Sequence, residues 1–239
     1  MEKAKVGSLR GIALLADLPV DEVSALKQKC QWLRYERNEQ ILDRESDSRD
    51  VLFVVEGRVQ VTNFSFSGRE IALATVAQGG YFGELSAVDQ QPRSASVLAA
   101  ERSVVASLGP NHFIELIKRY PTVALRVLNR LAQIVRNCDE RIMDLSTLGA
   151  VQRVYIELLR LAKPDSAMPS EWAIYPMPTQ ANVAARASTT RETVARVFSQ
   201  LRKSGLITRK GKTLYVNDYT ELQVMADRLP HIEGDAASR

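Results

Sequence analysis

Between Leu108 and Asn111 the hydrophobic period of the chain changes, and that change limits the folds open to it. Upstream, Leu52-Phe53-Val54-Val55-Glu56-Gly57 leads into Val59 and Val61 alternating with polar residues. A Ser67-Gly68 turn, a run carrying Ile71 and Leu73, and a Gly79-Gly80 turn follow. Alternation with a period of two, cut by glycine turns, is the pattern of short strands with one face buried. From about residue 31 to 108 it predicts a small barrel or roll. Gly109-Pro110-Asn111 ends the strands, and the chain then reads as helix to about 147, broken once near Tyr120-Pro121. Residues 9–30 read as short helical pieces around Pro19-Val20-Asp21-Glu22, where acids suit a first helical turn. A roll followed by helices makes an α+β chain, and 239 residues are enough for two domains.

The second helical piece carries a seam of Leu128, Leu131, Val135, Cys138, Ile142 and Leu145, spaced 3-4-3-4-3. That is the 3.5-residue period of two paired helices. An amphipathic helix lying on its own barrel would also show an apolar stripe. The stripe is narrow, and Arg130, Arg136, Asn137, Glu140 and Arg141 flank it, which favours a homodimer. Gly149 reads as the hinge between domains. Beyond it Val154, Ile156, Leu158, Leu159 and Leu161 predict a helix that stops before Pro164, followed by a loop over 163–170 and a short strand over 172–177. The expected organisation is a roll domain over 1–120, a dimerisation helix and hinge over 121–148, a second domain over 149–218 and an extension over 219–239. That extension holds a candidate helix, DYTELQVMADRL, with no assigned role.

Charge separates the two domains. Residues 1–149 hold 19 basic and 19 acidic side chains, whereas 150–218 hold 11 basic and 5 acidic, a net of +6. Only the second domain is suited to a polyanion. Its segment TQANVAARASTTRETVARVFSQLRKSG, residues 179–205, reads as two helices joined by a turn. Val183, Ala184 and Ala187 face inward on the first. Val194, Val197, Phe198 and Leu201 form one face of the second, which Ser188-Thr189-Thr190 introduces and caps. Arg191, Glu192 and Arg196 fall on the opposite face. Arginine can bond two acceptors of guanine and glutamate can accept from cytosine, so this triplet suits a major groove. Arg209-Lys210-Gly211-Lys212 between two short apolar runs reads as a wing whose basic tip meets the phosphate backbone.

Other classes lack their parts. His112 and His231 are the only histidines, and Cys30 and Cys138 form no C-x-x-C or Cys/His pattern. Zinc sites, thiolate-held clusters, disulfide frameworks and histidine triads are therefore not expected, and neither a Walker loop nor a G-x-S-x-G elbow occurs. No apolar run approaches the roughly 20 residues that span a bilayer. The start MEKAKVGSLRG lacks a signal-peptide core, so a cytoplasmic protein with no membrane contact is expected.

One stretch remains, FGELSAVDQQPRSASV at 82–97. It sets Glu84 behind Gly83 and Arg93 behind Pro92, nine residues apart, in an otherwise small and apolar run. Either the two charges pair with each other in a loop, or they form a site for a small anion bearing a hydroxyl.

Taken together, GELS at 83–86, PRSA at 92–95, TTRETVARV at 189–197 and GLITRKGKT at 205–213 resemble the cyclic-AMP receptor protein (CRP/FNR) family of bacterial transcription regulators. The resemblance covers roughly residues 12–218. It implies a cyclic-nucleotide-binding β-roll, a long dimerisation helix and a winged helix-turn-helix. It also implies a homodimer that reads a TGTGA-like palindrome on double-stranded DNA, with RNA polymerase as a further partner and no enzymatic activity.

Residue by residue, Arg93 would pair with a cyclic phosphate, Glu84 would accept from the ribose 2′-hydroxyl, and Gly83 would let the backbone come close. The N–H groups of the turn Glu84-Leu85-Ser86 would hold phosphate oxygens, and Ser94 would bond phosphate or base. Arg191, Glu192 and Arg196 would read bases, with Thr179, Thr190 and Lys212 on phosphates. The chain departs from the family at the helix positions that offer a threonine–serine pair to adenine, where it has Cys138 and Asp139. Cys138 reads as seam packing. A carboxylate at 139 matches the N1–H and 2-amino edge of guanine better than adenine's single amino group. The allosteric ligand is therefore cyclic AMP or cyclic GMP, with no other cofactor; a family member with a different signal, or one that binds DNA constitutively, is the alternative.

Overall fold

The computed structural model describes residues 2–66, 68, 70–165 and 171–227. Ser67 of the expected turn, residues 166–170 of the expected loop and the extension from 228 onward lie outside the described residues. The chain divides into two compact units, with the boundary between Arg136 and Asn137, inside a long helix.

The first unit runs β1 (Glu2–Lys3), a 3-10 turn (Ala13–Leu15), α1 (Val20–Lys29), β2 (Gln31–Tyr35), β3 (Gln40–Leu42), β4 (Val51–Glu56), β5 (Arg58–Phe64), β6 (Glu70–Ala77), β7 (Tyr81–Phe82), α2 (Glu84–Asp89), β8 (Ser96–Ala99), β9 (Ser103–Leu108) and α3 (Pro110–Arg119), then the start of α4 (Pro121–Thr147). The strands form two antiparallel sheets, in the orders β1-β2-β9-β4-β7 and β3-β8-β5-β6. Their facing sides share one apolar layer, which includes Leu33, Val54, Val59, Phe82, Val97 and Val105. The outer face of the first sheet is covered in turn: Trp32, Phe53, Ala106 and Leu108 pack with Leu26 of α1, Phe113 of α3 and Val123 and Val127 of α4. β4 is therefore buried on both faces and reads as a continuous apolar run, while β5 and β6 expose one side and alternate.

Pro121 begins α4, where a proline lacking its N–H costs nothing. The first turns of that helix do lie on their own roll, through Val123 and Val127, and Leu131 of the seam also packs there. Leu128, Val135, Cys138, Ile142 and Leu145 are exposed.

In the second unit come α5 (Ala150–Leu161), β10 (Lys163–Pro164), β11 (Trp172–Ile174), α6 (Gln180–Arg186), α7 (Arg191–Lys203), β12 (Ile207–Lys210), β13 (Thr213–Val216) and α8 (Tyr219–Asp227). The sheet order is β10-β11-β13-β12. Pro164 has no N–H to give a ladder and sits accordingly in the edge strand. Strand β11 ends at Ile174, shorter than the expected 172–177. Val183, Val194, Val197, Phe198 and Leu201 meet Val154, Leu158 and Leu214 in one core. α8 joins that core through Leu222 and Ala226, Tyr219 stacks on Trp172 at 3.9 Å, and Gln152 Nε2 donates to Ala226 O at 3.1 Å. The described part of the extension is thus a packing element of the second unit. Among the described residues no helix is long and apolar enough to cross a membrane.

Candidate functional site

Strand β7 carries the chain out of the first sheet into α2, and Gly83 makes the corner with φ +87. A Cβ there would lie 2.7 Å from Arg93 Nη1 and 2.8 Å from Asp50 O. Both the left-handed backbone and the close approach therefore call for glycine. No side chain caps α2, so its first N–H groups are not taken by a capping hydroxyl or carboxylate.

Arg93 is only 3% exposed, and each of its three nitrogens donates within the chain. Nε donates to Ser48 Oγ at 3.0 Å, Nη1 to Gly83 O at 2.8 Å and Nη2 to Asp50 O at 2.7 Å. Burial pulls the guanidinium below its ordinary pKa, while the nearby Asp50 and Glu84 oppose that shift. Asp50 is anchored in turn, accepting from Ser107 Oγ at 2.7 Å.

Glu84, 4% exposed, is not bonded to Arg93. Its Oε1 accepts from Arg130 Nε of α4 at 3.2 Å, and the Arg130 guanidinium lies 4.8 Å above the Tyr81 ring. The Tyr81 hydroxyl is buried without a hydrogen-bond partner, and burial together with Glu84 pushes its pKa up to about 12. Gly83, Glu84 and Arg93 are thus brought together in one buried polar centre. Ser86 is buried beside them and donates to Pro92 O at 3.4 Å. Leu85 and Ser94 are exposed.

Cys138 and Asp139 belong to the second unit and are exposed on α4. Arg130, Ser48 and Asp50 were not visible in the sequence as site residues. Arg130 lies 46 positions from Glu84, and only its place beside the seam hinted at a role.

The second unit presents the other residue set. Thr179 caps α6 and Thr190 caps α7, each hydroxyl accepting from the backbone N–H three residues on, at 3.1 and 3.2 Å. Arg191, Glu192 and Arg196 are exposed on α7, opposite the buried Val194, Val197 and Phe198. Glu192 is held below the usual carboxylate range, first by a backbone hydrogen bond at the helix start and then by the Thr190 hydroxyl. β12 and β13 form a hairpin whose tip carries Gly211, at φ +60, and exposed Lys212. Lys212 O accepts from Met177 N at 2.7 Å, which fixes the tip to the segment before α6.

Among the described residues no group of three or more His, Cys, Asp or Glu is placed to hold a metal ion. Cys30 is buried and its thiol is pushed up to about 12 by desolvation, which suppresses the reactive thiolate.

Comparison with known proteins matches both units. A cyclic nucleotide-binding domain model covers residues 32–120, and a Crp-like helix-turn-helix domain model covers 152–225. The chain is 28% identical over 188 residues to the cAMP-activated global transcriptional regulator CRP of Salmonella typhimurium, covering 78% of this chain and 90% of that protein. It is 28% identical over 218 residues to the cyclic AMP receptor protein of Thermus thermophilus, covering 91% and 98%. A CooA mutant from Carboxydothermus hydrogenoformans superposes with a TM-score of 0.75 over 94% of this chain and 98% of its own, at 18% identity, a likeness of fold.

Proposed function

The chain belongs to the CRP/FNR family of transcription regulators, and from that premise we propose a homodimer whose affinity for a TGTGA-like palindrome is set by a cyclic nucleotide bound at Arg93 and Glu84. As a member of that family the chain is a transcription regulator with a cyclic-nucleotide-binding domain and a helix-turn-helix, and not an enzyme.

The observation that carries the ligand reading is the separation of Glu84 from Arg93. Opposite charges buried as neighbours for stability alone would neutralise each other directly. Here Arg93 is held by neutral acceptors and keeps its charge uncompensated by a direct ion pair, while Glu84 faces a different cation. An arginine so held favours a phosphate at its remaining N–H groups, with the uncapped start of α2 as a further source of donors. Glu84 has a second carboxylate oxygen for a ribose hydroxyl. Ser94, Cys138 and Asp139 are the candidates for the base. On α7, Arg191, Glu192 and Arg196 would read base edges, with Thr179, Thr190 and Lys212 on phosphates. The exposed seam of α4 would pair the two copies, placing two half-sites one helical turn apart.

Cyclic AMP is the ligand proposed, since it is the nucleotide in the names of the curated relatives. Asp139 favours cyclic GMP as the second reading, because an exposed carboxylate can accept two N–H bonds from guanine. Calorimetry with both nucleotides on wild type and Asp139→Ala, alongside a DNA shift assay with each, tests both. The cyclic GMP reading requires that Asp139→Ala change the ratio of the two affinities. Absence of binding by either nucleotide would overturn the ligand reading altogether.

A further inference from the structure

α4 ends against the turn that leads into α7. Arg153 of α5 stands between two helix ends: Nη1 donates to Leu148 O at 2.7 Å, while Nε and Nη2 donate to Ala187 O at 3.0 Å and Ser188 O at 3.2 Å. Carbonyls at a helix C-terminus lack intrahelical donors and carry partial negative charge, so one guanidinium satisfies the ends of α4 and α6 together. Arg160 adds a second tie, pairing with Asp144 at 2.7 Å and lying 3.7 Å from Glu140, both on α4. Arg186 of α6 pairs with the buried Glu157 of α5.

Within this charged cluster one contact differs in kind. Arg141 reaches from α4 to a side chain of the turn itself, with Nη2 donating to Ser188 Oγ at 3.0 Å. Ser188 has φ +50, a left-handed conformation that a non-glycine residue keeps only when its surroundings hold it there. It lies two residues before Thr190, the cap of α7, and three before Arg191. Cys138 and Asp139 lie on the same helix as Arg141, within one turn of it.

We propose that Arg141 is a positioning residue: its bond to Ser188 sets the start of α7, the helix proposed to read base edges, according to the position of α4. A displacement of α4 at Cys138 and Asp139 would carry Arg141 with it and re-aim Arg191 and Glu192. The ligand step rests on the function proposed above, whereas the Arg141–Ser188 link does not.

Two substitutions in the full-length protein break the link, one from each side. Arg141→Met removes the donor and keeps the apolar stem. Ser188→Gly removes the hydroxyl and accepts φ +50 without penalty, leaving the backbone bond to Arg153 intact. Thermal midpoint and nucleotide affinity should stay near wild type in both. The ratio of DNA affinities with and without nucleotide should fall by about tenfold toward unity. The double variant should lose no more than either single one, because both remove the same contact. A wild-type ratio in either single variant, or additive losses in the double, would overturn the proposal.

If wild type binds neither cyclic nucleotide, the ligand reading fails and the link is read from hydrogen exchange at 187–191 and from DNA affinity alone. Arg141→Met should then speed exchange at those amides and weaken DNA binding; no change in both would overturn it.

Discussion

Arg93 and Arg191 each stand close to the first turn of a helix, and the chain treats them in opposite ways. Arg93 is 3% exposed and donates from all three nitrogens to Ser48, Gly83 and Asp50. Arg191 is exposed at the start of α7. The glutamates beside them repeat the contrast, with Glu84 buried against Arg130 and Glu192 exposed near Thr190. In the first unit the cost of desolvating charge is met by the fold before any ligand arrives. The ligand proposed there would have to match bonds that are already made, which favours one shape over many. In the second unit the charges keep their water until a polyanion displaces it. DNA binding there, as proposed, should depend steeply on salt, with sequence read by the few side chains that reach base edges.

Exchanging the two arginines for methionine gives the largest expected contrast. Arg93→Met leaves Gly83 O, Asp50 O and Ser48 Oγ without their donor. Exposed Ser48 can turn to water, so at about 1–3 kcal/mol for each of the two half-buried carbonyls a loss of about 2–4 kcal/mol is expected. Denaturant unfolding of the first unit should show it, with nucleotide binding abolished. Arg191→Met should leave unfolding within about 0.5 kcal/mol of wild type and cost about 1–3 kcal/mol of base discrimination in a binding-site selection. Comparable losses of stability in the two variants would erase the distinction.

A smaller contrast lies in two glycines of positive φ. Gly211→Ala meets nothing within 4 Å and should cost only the left-handed penalty, about 1–2 kcal/mol. Gly83→Ala carries the same penalty and also drives its Cβ against Arg93 and Asp50, adding about 1–3 kcal/mol. Equal midpoint shifts for the two variants would mean that the first unit yields where its hydrogen bonds say it should not.

The thiols sharpen the contrast with the least effect on folding. At pH 8 a thiol reagent should modify exposed Cys138 and spare Cys30, whose pKa of about 12 leaves almost no thiolate. If the α4 seam pairs two copies, labelling of Cys138 should slow as protein concentration rises. Rapid modification of Cys30 in the folded protein would show that the first unit opens more readily than its burial implies.

The placement of the residues proposed to read DNA was legible in the sequence. Those residues come from one contiguous stretch, and helical periodicity alone puts Arg191, Glu192 and Arg196 opposite Val194, Val197 and Phe198. The caps Thr179 and Thr190 act across three residues, so they too are local. At the buried centre the motif disclosed Gly83, Glu84 and Arg93 but not what holds them. Ser48 and Asp50 lie 45 and 43 positions from Arg93, and no period or spacing links them to it. Gly149 read as the hinge by its composition, while the bonds by which Arg153 and Arg160 tie Leu148 and Asp144 to α5 were disclosed by no period or spacing.

By itself the sequence determined that a strand-rich segment precedes the long helices, the segregation of positive charge into 150–218, and the face that α7 turns outward, though not the short helix α2 or the edge strand β10. These follow from periods of two and 3.6 residues and from side chains acting within a few positions of themselves. Only the tertiary structure decided that Arg93 would bond Ser48 and Asp50, that Arg130 rather than Arg93 would answer Glu84, and that Arg141 would meet Ser188. Each of those choices depends on which distant segments share a buried, poorly solvated space, and there a charge must take whichever partner the fold brings within reach.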